Sequence, residues 1–102
     1  MDPLLEALND PDWEVRQAAV YALGAFEDER VIPALLPRLR DDSGDVRSAT
    51  AYMLGEMGDS RVLPALKWVM ENDGGTTWEG DPVRVDAQMA IEAIESRSNR
   101  KL

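Results

Sequence analysis

The sequence predicts an all-α solenoid of about three stacked helical hairpins, with six helices in all. Two observations carry this prediction. The chain of 102 residues repeats itself at a spacing of 31 residues, and each copy holds two segments whose apolar residues recur with the period of an α-helix. A hairpin of this length cannot bury both of its apolar stripes alone, so neighbouring hairpins must stack on one another.

Identical residues carry the repeat. Shifting the chain by 31 positions places residues 12–41 over 43–72 and makes twelve of the thirty pairs identical. A partial third copy begins at Val83, 37 positions after Val46, so about six residues are inserted near 73–80. We therefore expect one domain over 1–96 and a polar tail over 97–102. Within the domain we expect a half repeat (1–10), two repeats (11–41 and 42–72), an inserted loop (73–80) and a partial repeat (81–96).

Six helices follow from the start signals of these segments. An Asp-Pro pair occurs three times and is typical of an N-cap followed by proline in the first helical turn. Asp28 and Asp59 are placed to cap the second helices of the two repeats. Pro37 falls inside a predicted helix, which it should kink or loosen because it lacks an N–H donor. The predicted helices span 3–9, 12–26, 29–40, 43–57, 60–71 and 82–96.

The apolar stripes predict the core. Tyr21 and Tyr52 recur with the repeat and are expected to pack within the stack, and Trp13 is expected to pack between adjacent turns. Ile91 and Ile94 have no second helix to cover them, which predicts an open apolar C-terminal end. Three outcomes stay open for this end: a homodimer formed through it, docking onto a larger protein, or a tail that folds back over it. The first-helix stripe of the first repeat is Val15, Ala18, Ala19, Ala22, Leu23 and Phe26, and the second-helix stripe is Ile32, Leu35, Leu36 and Leu39.

Composition excludes several kinds of chemistry. The chain has 20 acidic and 11 basic residues, a net charge of −9, no cysteine and no histidine. Disulfides and thiolate sites are therefore absent, and so are the commonest general base and metal ligand. We expect no carboxylate to be buried, and so none with the raised pKa of a general acid. The acidic balance disfavours nucleic acid, and no apolar run is long enough to span a membrane. The prediction is a cytoplasmic protein that is not an enzyme and has no cofactor and no metal.

Three motifs resemble a known family. Val-Arg-x-x-Ala is followed by Tyr-Ala-Leu-Gly or Tyr-Met-Leu-Gly, and then by Asp-x-Arg-Val-x-Pro-Ala-Leu. Together they resemble the short HEAT-like repeat that also occurs in phycobilisome lyases. The resemblance implies a HEAT-like superhelix that serves as a protein-interaction scaffold. Two alternatives stay open, a subunit of a bilin lyase or another chromophore-handling enzyme, and a structural self-assembling unit. The third copy departs from the pattern, with Asp86 in place of an alanine and Glu92 in place of the glycine.

The resemblance also implies that the second helices line a concave face, on which we expect a peptide or protein partner. Trp68 is the strongest candidate, because an outward tryptophan is a typical interface anchor. Trp78, in the inserted loop, is expected either to contact the partner or to fold back over Trp68. The other candidate residues of this face are Val69, Pro37, Arg38, Ala34, Ala65, Arg30 and Arg61.

An arginine recurs at one position of all three copies, as Arg16, Arg47 and Arg84. We expect a structural ladder of ion pairs or carbonyl contacts between stacked repeats. A cationic row that binds phosphate is the alternative, which the acidic turns disfavour. The acceptors expected for the ladder are Asp28, Asp59 and Asp45.

Overall fold

Helices account for most of the chain. The computed structural model describes residues 2–26 and 28–99, and in these residues it contains no β-strand, only an isolated bridge between Thr76 and Pro82. Short 3₁₀ helices cover Glu29–Val31, Leu36–Arg40 and Ser60–Val62. The all-α prediction is confirmed. The α-helices are α1 (Asp2–Ala7), α2 (Trp13–Gly24), α3 (Ile32–Leu35), α4 (Gly44–Met57), α5 (Leu63–Asn72) and α6 (Val83–Asn99).

The second helix of each repeat begins as predicted. Asp28 and Asp59 each accept a hydrogen bond from the backbone N–H two residues later, at 2.9 and 2.8 Å. Each cap starts a 3₁₀ turn that leads into an α-helix. Pro37 loosens the first of these helices, which is α-helical only to Leu35 and continues as a 3₁₀ helix. Trp68 takes the equivalent position in the second repeat, where an N–H is available and α5 stays α-helical.

Helix α4 lies at the centre of the stack. It packs against α2 on one side and α6 on the other, and α6 also packs against α5. Leu23, Leu54 and Ile91 stand at the same position of the three first helices, and all three are buried. The repeats therefore share one continuous core, as a solenoid requires.

The core face of α2 differs from the prediction. Val15, Ala18 and Phe26 were predicted to face inward, but all three are exposed, Phe26 by 60%. The helix is turned by about one residue because the charged side chain of Arg16 lies inside, paired with a buried carboxylate. The buried residues of α2 are Arg16, Ala19, Val20, Leu23 and Gly24.

The C-terminal end is not the open apolar surface that was predicted. Ile91 and Ile94 are buried, because α6 lies against α4 and α5 with these two residues facing them. The helix also runs further than expected, to Asn99, and the guanidinium of Arg97 donates to the backbone carbonyl of Glu56. Residues 100–102 of the predicted tail lie outside the described residues. The homodimer stays a prediction, without the surface on which it rested.

Glycines permit the close approach of successive first helices. A Cβ on Gly24 would lie 2.9 Å from Cβ of Met53, and a Cβ on Gly55 would lie 2.7 Å from Cβ of Ala90. Neither distance leaves room for a larger residue without movement. The glycine that ends the Tyr-x-Leu-Gly motif is therefore a packing requirement of the stack.

Candidate functional site

Trp68 lies on the face formed by the second helices, the second-helix face. It projects from α5 and is 43% exposed. The guanidinium carbon of Arg40 lies 4.1 Å from the centroid of its ring, within the range of a cation–π contact. Arg40 comes from the end of the first repeat, so this contact joins two repeats and holds the indole ring in place.

Two recesses flank this pair. A narrow one of about 60 Å³ lies between the second helices, and a wider one of about 280 Å³ lies towards the inserted loop. Leu39, Arg40 and Trp68 line both recesses. The guanidinium of Arg40 and the indole of Trp68 therefore stand on the ridge that separates the two recesses. The narrow recess is completed by Leu36, Ala65 and Val69, and the wide one by Asp41, Arg47, Asn72, Asp73 and Gly74.

The other candidates of this face are only partly brought together. Pro37 is exposed, and Ala34 and Ala65 are half-buried. Val69 was predicted to point outward, but it is only 1% exposed. It continues the buried row formed by Leu66 on α5 and by Val62 at the end of the 3₁₀ turn before it, so it belongs to the core rather than to a binding surface.

The arginines predicted to edge this face do not flank Trp68. Arg30 and Arg61 lie in the turns between the helices of each repeat, where each pairs with the capping aspartate two residues before it, at 2.7 and 2.6 Å. The hydrogen bond from Arg30 lowers the pKa of Asp28 to about 2. Arg38 donates to the carbonyl of Leu8 and is tied there. The cation that contacts the indole ring is instead Arg40.

Arg40 was missed by the sequence reasoning. The repeat contained a signal for this contact. Trp68 occupies the position in the second repeat that Pro37 has in the first, and Arg40 follows Pro37 by about one helical turn. Adjacent second helices in a solenoid run side by side, so this offset places the two side chains within reach of each other.

Two of the three recurring arginines form clamps between turns. Arg16 Nε and Nη2 donate to the two carboxylate oxygens of Asp41, both at 3.0 Å, and Nη1 donates to the carbonyl of Asp10 at 2.7 Å. Arg47 Nε donates to Asp73 Oδ2 at 2.7 Å, and its Nη1 donates to the carbonyl of Asp41 at 2.8 Å. Each arginine thus ties the turn before its repeat to the turn after it.

The structural ladder is confirmed for Arg16 and Arg47 but not for Arg84, and its predicted acceptors were wrong. Asp28 and Asp59 bind neighbouring arginines, and Asp45 accepts from the backbone of the inserted loop. The acceptors lie instead 25 and 26 residues after the arginine, at the end of each second helix. Arg84 makes no ion pair with any residue in 2–26 or 28–99.

The carboxylate of Asp41 is buried, contrary to the prediction that none would be. The side chain of Asp41 is only 2% exposed. Burial raises its pKa, but hydrogen bonds from Arg16 and from the N–H of Ser43 outweigh burial, so the pKa lies below its usual range. Asp41 therefore stays ionised and accepts hydrogen bonds, which is the opposite of a general acid. Among the described residues, no group of three or more side chains is arranged to hold a metal ion.

The inserted loop is held by its backbone rather than by the indole of Trp78. Gly44 packs so closely against the carbonyl of Thr76 that it has no room for a Cβ, and Asp45 accepts from the N–H of Trp78 at 2.8 Å. The side chain of Trp78 is 82% exposed and so does not cover Trp68. Trp13, by contrast, packs against the core as expected.

The tyrosines were also placed wrongly. Tyr21 is 44% exposed and Tyr52 is 50% exposed, on the outer side of the first helices. Both had been expected to pack within the stack. Their recurrence therefore marks a surface rather than the core.

Stacked two-helix units joined by a shared core and by arginine clamps define an α-solenoid. The chain belongs to the HEAT repeat family, whose model matches residues 1–77 and so confirms the resemblance. Repeats of this family generally build protein-interaction scaffolds and are typically not enzymes. No curated protein compared with the chain proved to be similar to it. None of the described helices has the length and apolar character needed to cross a membrane.

Proposed function

We propose that the chain is a non-enzymatic scaffold that binds a peptide or a protein surface on its second-helix face, with Trp68 as the main contact. The observation that carries the proposal is the half-exposed indole of Trp68, held by Arg40 on a stable helix. Tryptophan is enriched among residues that dominate binding energy. A side chain that is already fixed in place loses little conformational entropy when a partner binds.

The surroundings of Trp68 suggest the chemistry of the partner. The narrow recess is lined mainly by aliphatic side chains, among them Leu36 and Ala65, and suits one apolar side chain. Arg40 makes no ion pair with any described residue, so its N–H groups remain available to a carboxylate. We therefore expect a partner segment in which an apolar residue stands beside an acidic one.

Selection from a displayed peptide library, with the purified protein as bait, tests the proposal. We expect the selected peptides to combine an apolar and an acidic residue, and to bind the Trp68→Ala variant more than about tenfold more weakly, because a central aromatic anchor is lost. Trp78→Ala is the comparison variant, since Trp78 is more exposed than Trp68 but lies in the inserted loop, whose contact with the partner stays a prediction. Titration of labelled peptide measures the affinities.

Circular dichroism and thermal unfolding of each variant separate binding from folding. We expect Trp68→Ala to keep the helical content and the cooperative transition of the wild type. If that variant lost cooperative unfolding, Trp68 would be a core residue and the proposal would be wrong. Equal affinity of the selected peptides for wild type and Trp68→Ala would refute it as well.

No observation on the described residues favours the chromophore-handling alternative or a self-assembling unit, and both stay predictions, as does the cytoplasmic location. A linear tetrapyrrole that changes its absorbance on mixing with the protein would support the first. Light scattering that gives a mass above that of the monomer would support the second.

A further inference from the structure

The first helices of the three copies present a row of exposed side chains on their outer side. Tyr21, Tyr52 and Met89 occupy the same position of α2, α4 and α6, and they are 44%, 50% and 61% exposed. We call these three residues the first-helix row. It lies on different helices from Trp68 and is therefore a separate surface from the second-helix face.

A cleft opens beside the row, between α4 and α6. Its volume is about 130 Å³. It exists because Gly55 and Ala90 let the two helices touch while the longer side chains of Tyr52 and Met89 stand out on either side. The cleft is lined by Tyr52, Gly55, Glu56, Asp86, Met89, Ala90 and Ala93.

The charges around the row are negative. Asp86 lies at the cleft and accepts a hydrogen bond from the hydroxyl of Ser48. Burial raises the pKa of the Tyr21 hydroxyl, and the charges of Asp86 and Asp45 raise it further. The hydroxyl of Tyr21 therefore stays neutral, and its ring remains available as a partner for a cation.

The cation that binds at the edge of the cleft offsets little of this charge. Arg97 lies on the neighbouring part of α6, but its guanidinium is bound to Glu56, at 3.8 Å from the carboxylate and closer to the backbone carbonyl. It thus neutralises one carboxylate of the cleft and leaves Asp86 and Asp45 without a basic partner in the described part of the chain.

We propose that the first-helix row and its cleft form a second docking surface, whose occupant is a basic amphipathic segment of a partner protein. Apolar side chains of that segment would enter the cleft beside Met89, and its arginine or lysine side chains would lie over the tyrosine rings, next to Asp86. A second copy of this chain is a poor occupant, because the chain carries a net charge of −9 and would bring carboxylates against carboxylates.

The test uses a synthetic helical peptide with arginine on one face and leucine on the other. Two control peptides replace either all arginines by glutamate or all leucines by serine. We expect the first peptide alone to shift the methyl resonance of Met89 in spectra of the methionine-labelled protein. The methyl of Met70, on α5, reports on the opposite side and should not move.

Variants of the protein locate the binding site. Tyr52→Ala should weaken the peptide about tenfold, because it removes one ring of the row. Asp86→Asn should weaken it by a smaller factor of about three, and Glu71→Gln, which removes an equal charge from an exposed position on α5, should leave the affinity unchanged. Trp68→Ala should have no effect, which separates this surface from the one proposed above.

Four outcomes would overturn the proposal. They are a shift of Met70 in place of Met89, equal binding of the leucine-free peptide, equal losses in Asp86→Asn and Glu71→Gln, and unchanged affinity in Tyr52→Ala. Thermal unfolding identifies any variant that fails to fold. If Asp86→Asn did not fold, Tyr21→Ala would replace it, because that side chain is exposed and its loss leaves the hydrogen bond to Ser48 intact.

Discussion

The junction between the first and second repeats and the junction between the second and third are built from the same two devices, a glycine contact and an arginine clamp. At the first junction Gly24 meets the side chain of Met53. At the second, Gly55 meets both the backbone and the side chain of Ala90. A change of rotamer can move the outer atoms of Met53 away from Gly24 but not its Cβ, at 2.9 Å. At Gly55 the two nearest atoms, Cβ and Cα of Ala90 at 2.7 and 2.8 Å, are both fixed by the backbone, so the second contact tolerates less change than the first.

The arginine clamps show the opposite order, because the clamp of the first junction is the more deeply buried of the two. In the first, the side chains of Arg16 and Asp41 are 11% and 2% exposed. In the second, those of Arg47 and Asp73 are 17% and 8% exposed. Asp73 also accepts from the N–H of Gly75, so it fixes the start of the inserted loop. The insertion leaves the second clamp intact because Asp73, the residue that the arginine binds, is still held at the C-cap of α5.

Neither device is repeated at the outer side of α6. Glu92 stands where the first two copies have glycine, and its carboxylate accepts a hydrogen bond from the side chain of Gln88. Val20 and Ala51, the counterparts of Gln88, are fully buried, whereas Gln88 is exposed. This side of α6 therefore carries two exposed polar side chains at positions that are buried in the first two copies.

The largest expected effect comes from breaking the clamps. Asp41→Ala should lower the free energy of unfolding by about 3–5 kcal/mol, since it leaves the buried guanidinium of Arg16 without its partner. Asp73→Ala should cost less, about 1–3 kcal/mol, because its clamp is more exposed. Urea titration followed by circular dichroism measures both. Asp42→Ala is the control, because that carboxylate also reaches Arg16 but its side chain is 92% exposed. We expect it to change the free energy by less than about 0.5 kcal/mol.

The glycine contacts should show the reverse order between the junctions. Gly55→Ala should cost about 2–3 kcal/mol, because its new methyl group meets the backbone of Ala90. Gly24→Ala should cost about 1 kcal/mol, because Met53 can move part of the way aside and alanine favours the helix. The measurement is again the midpoint of urea unfolding. If Gly24→Ala lost more unfolding free energy than Gly55→Ala, the first glycine contact would be the tighter one, contrary to this prediction.

The fold was largely predictable because its signals are local and repeated. The 31-residue offset, the capping aspartates and the helix-breaking effect of Pro37 are each visible in a few letters of sequence. The phase of each helix was not predictable in the same way. An apolar stripe fixes the period of a helix, but neighbouring positions such as Trp68 and Val69 are both apolar, and only the packing partners decide which of them is buried.

Charged residues explain the remaining errors. Arg16 and Asp41 can lie inside because their hydrogen-bonding groups are satisfied there, chiefly by each other, and apolar periodicity contains no information about such a pair. Once Arg16 turns inward, Val15 and Ala18 turn outward with Tyr21. The indole of Trp68 was found because it breaks the pattern on its own helix, whereas Arg40 needed knowledge of how two second helices lie side by side.

The smallest expected effect is a pH dependence that separates the buried clamp from the exposed ion pairs. The pKa of Asp41 is lowered in the folded protein, and so are those of Asp28 and Asp59, which pair with exposed arginines. A group whose pKa is lowered by folding stabilises the folded state at any pH above the pKa of the unfolded state, which is about 3.9. This stabilisation is lost as the pH falls through the pKa of the folded state. We therefore expect the free energy of unfolding to fall between about pH 5 and pH 2.

High salt distinguishes the ion pairs that contribute to the fall of the unfolding free energy at acid pH. At about 1 M salt the exposed pairs of Asp28 and Asp59 are screened, whereas the clamp of Asp41 is shielded from solvent and keeps its effect. Urea titrations at several pH values in high salt measure this difference. We expect the wild type to keep part of its loss of stability at acid pH, and the Asp41→Asn variant to show no such loss. Asp42→Asn should behave as the wild type does. An acid response that salt removes entirely would mean that the first clamp is no better protected than a surface pair, and the contrast between the two junctions would then rest on the glycines alone.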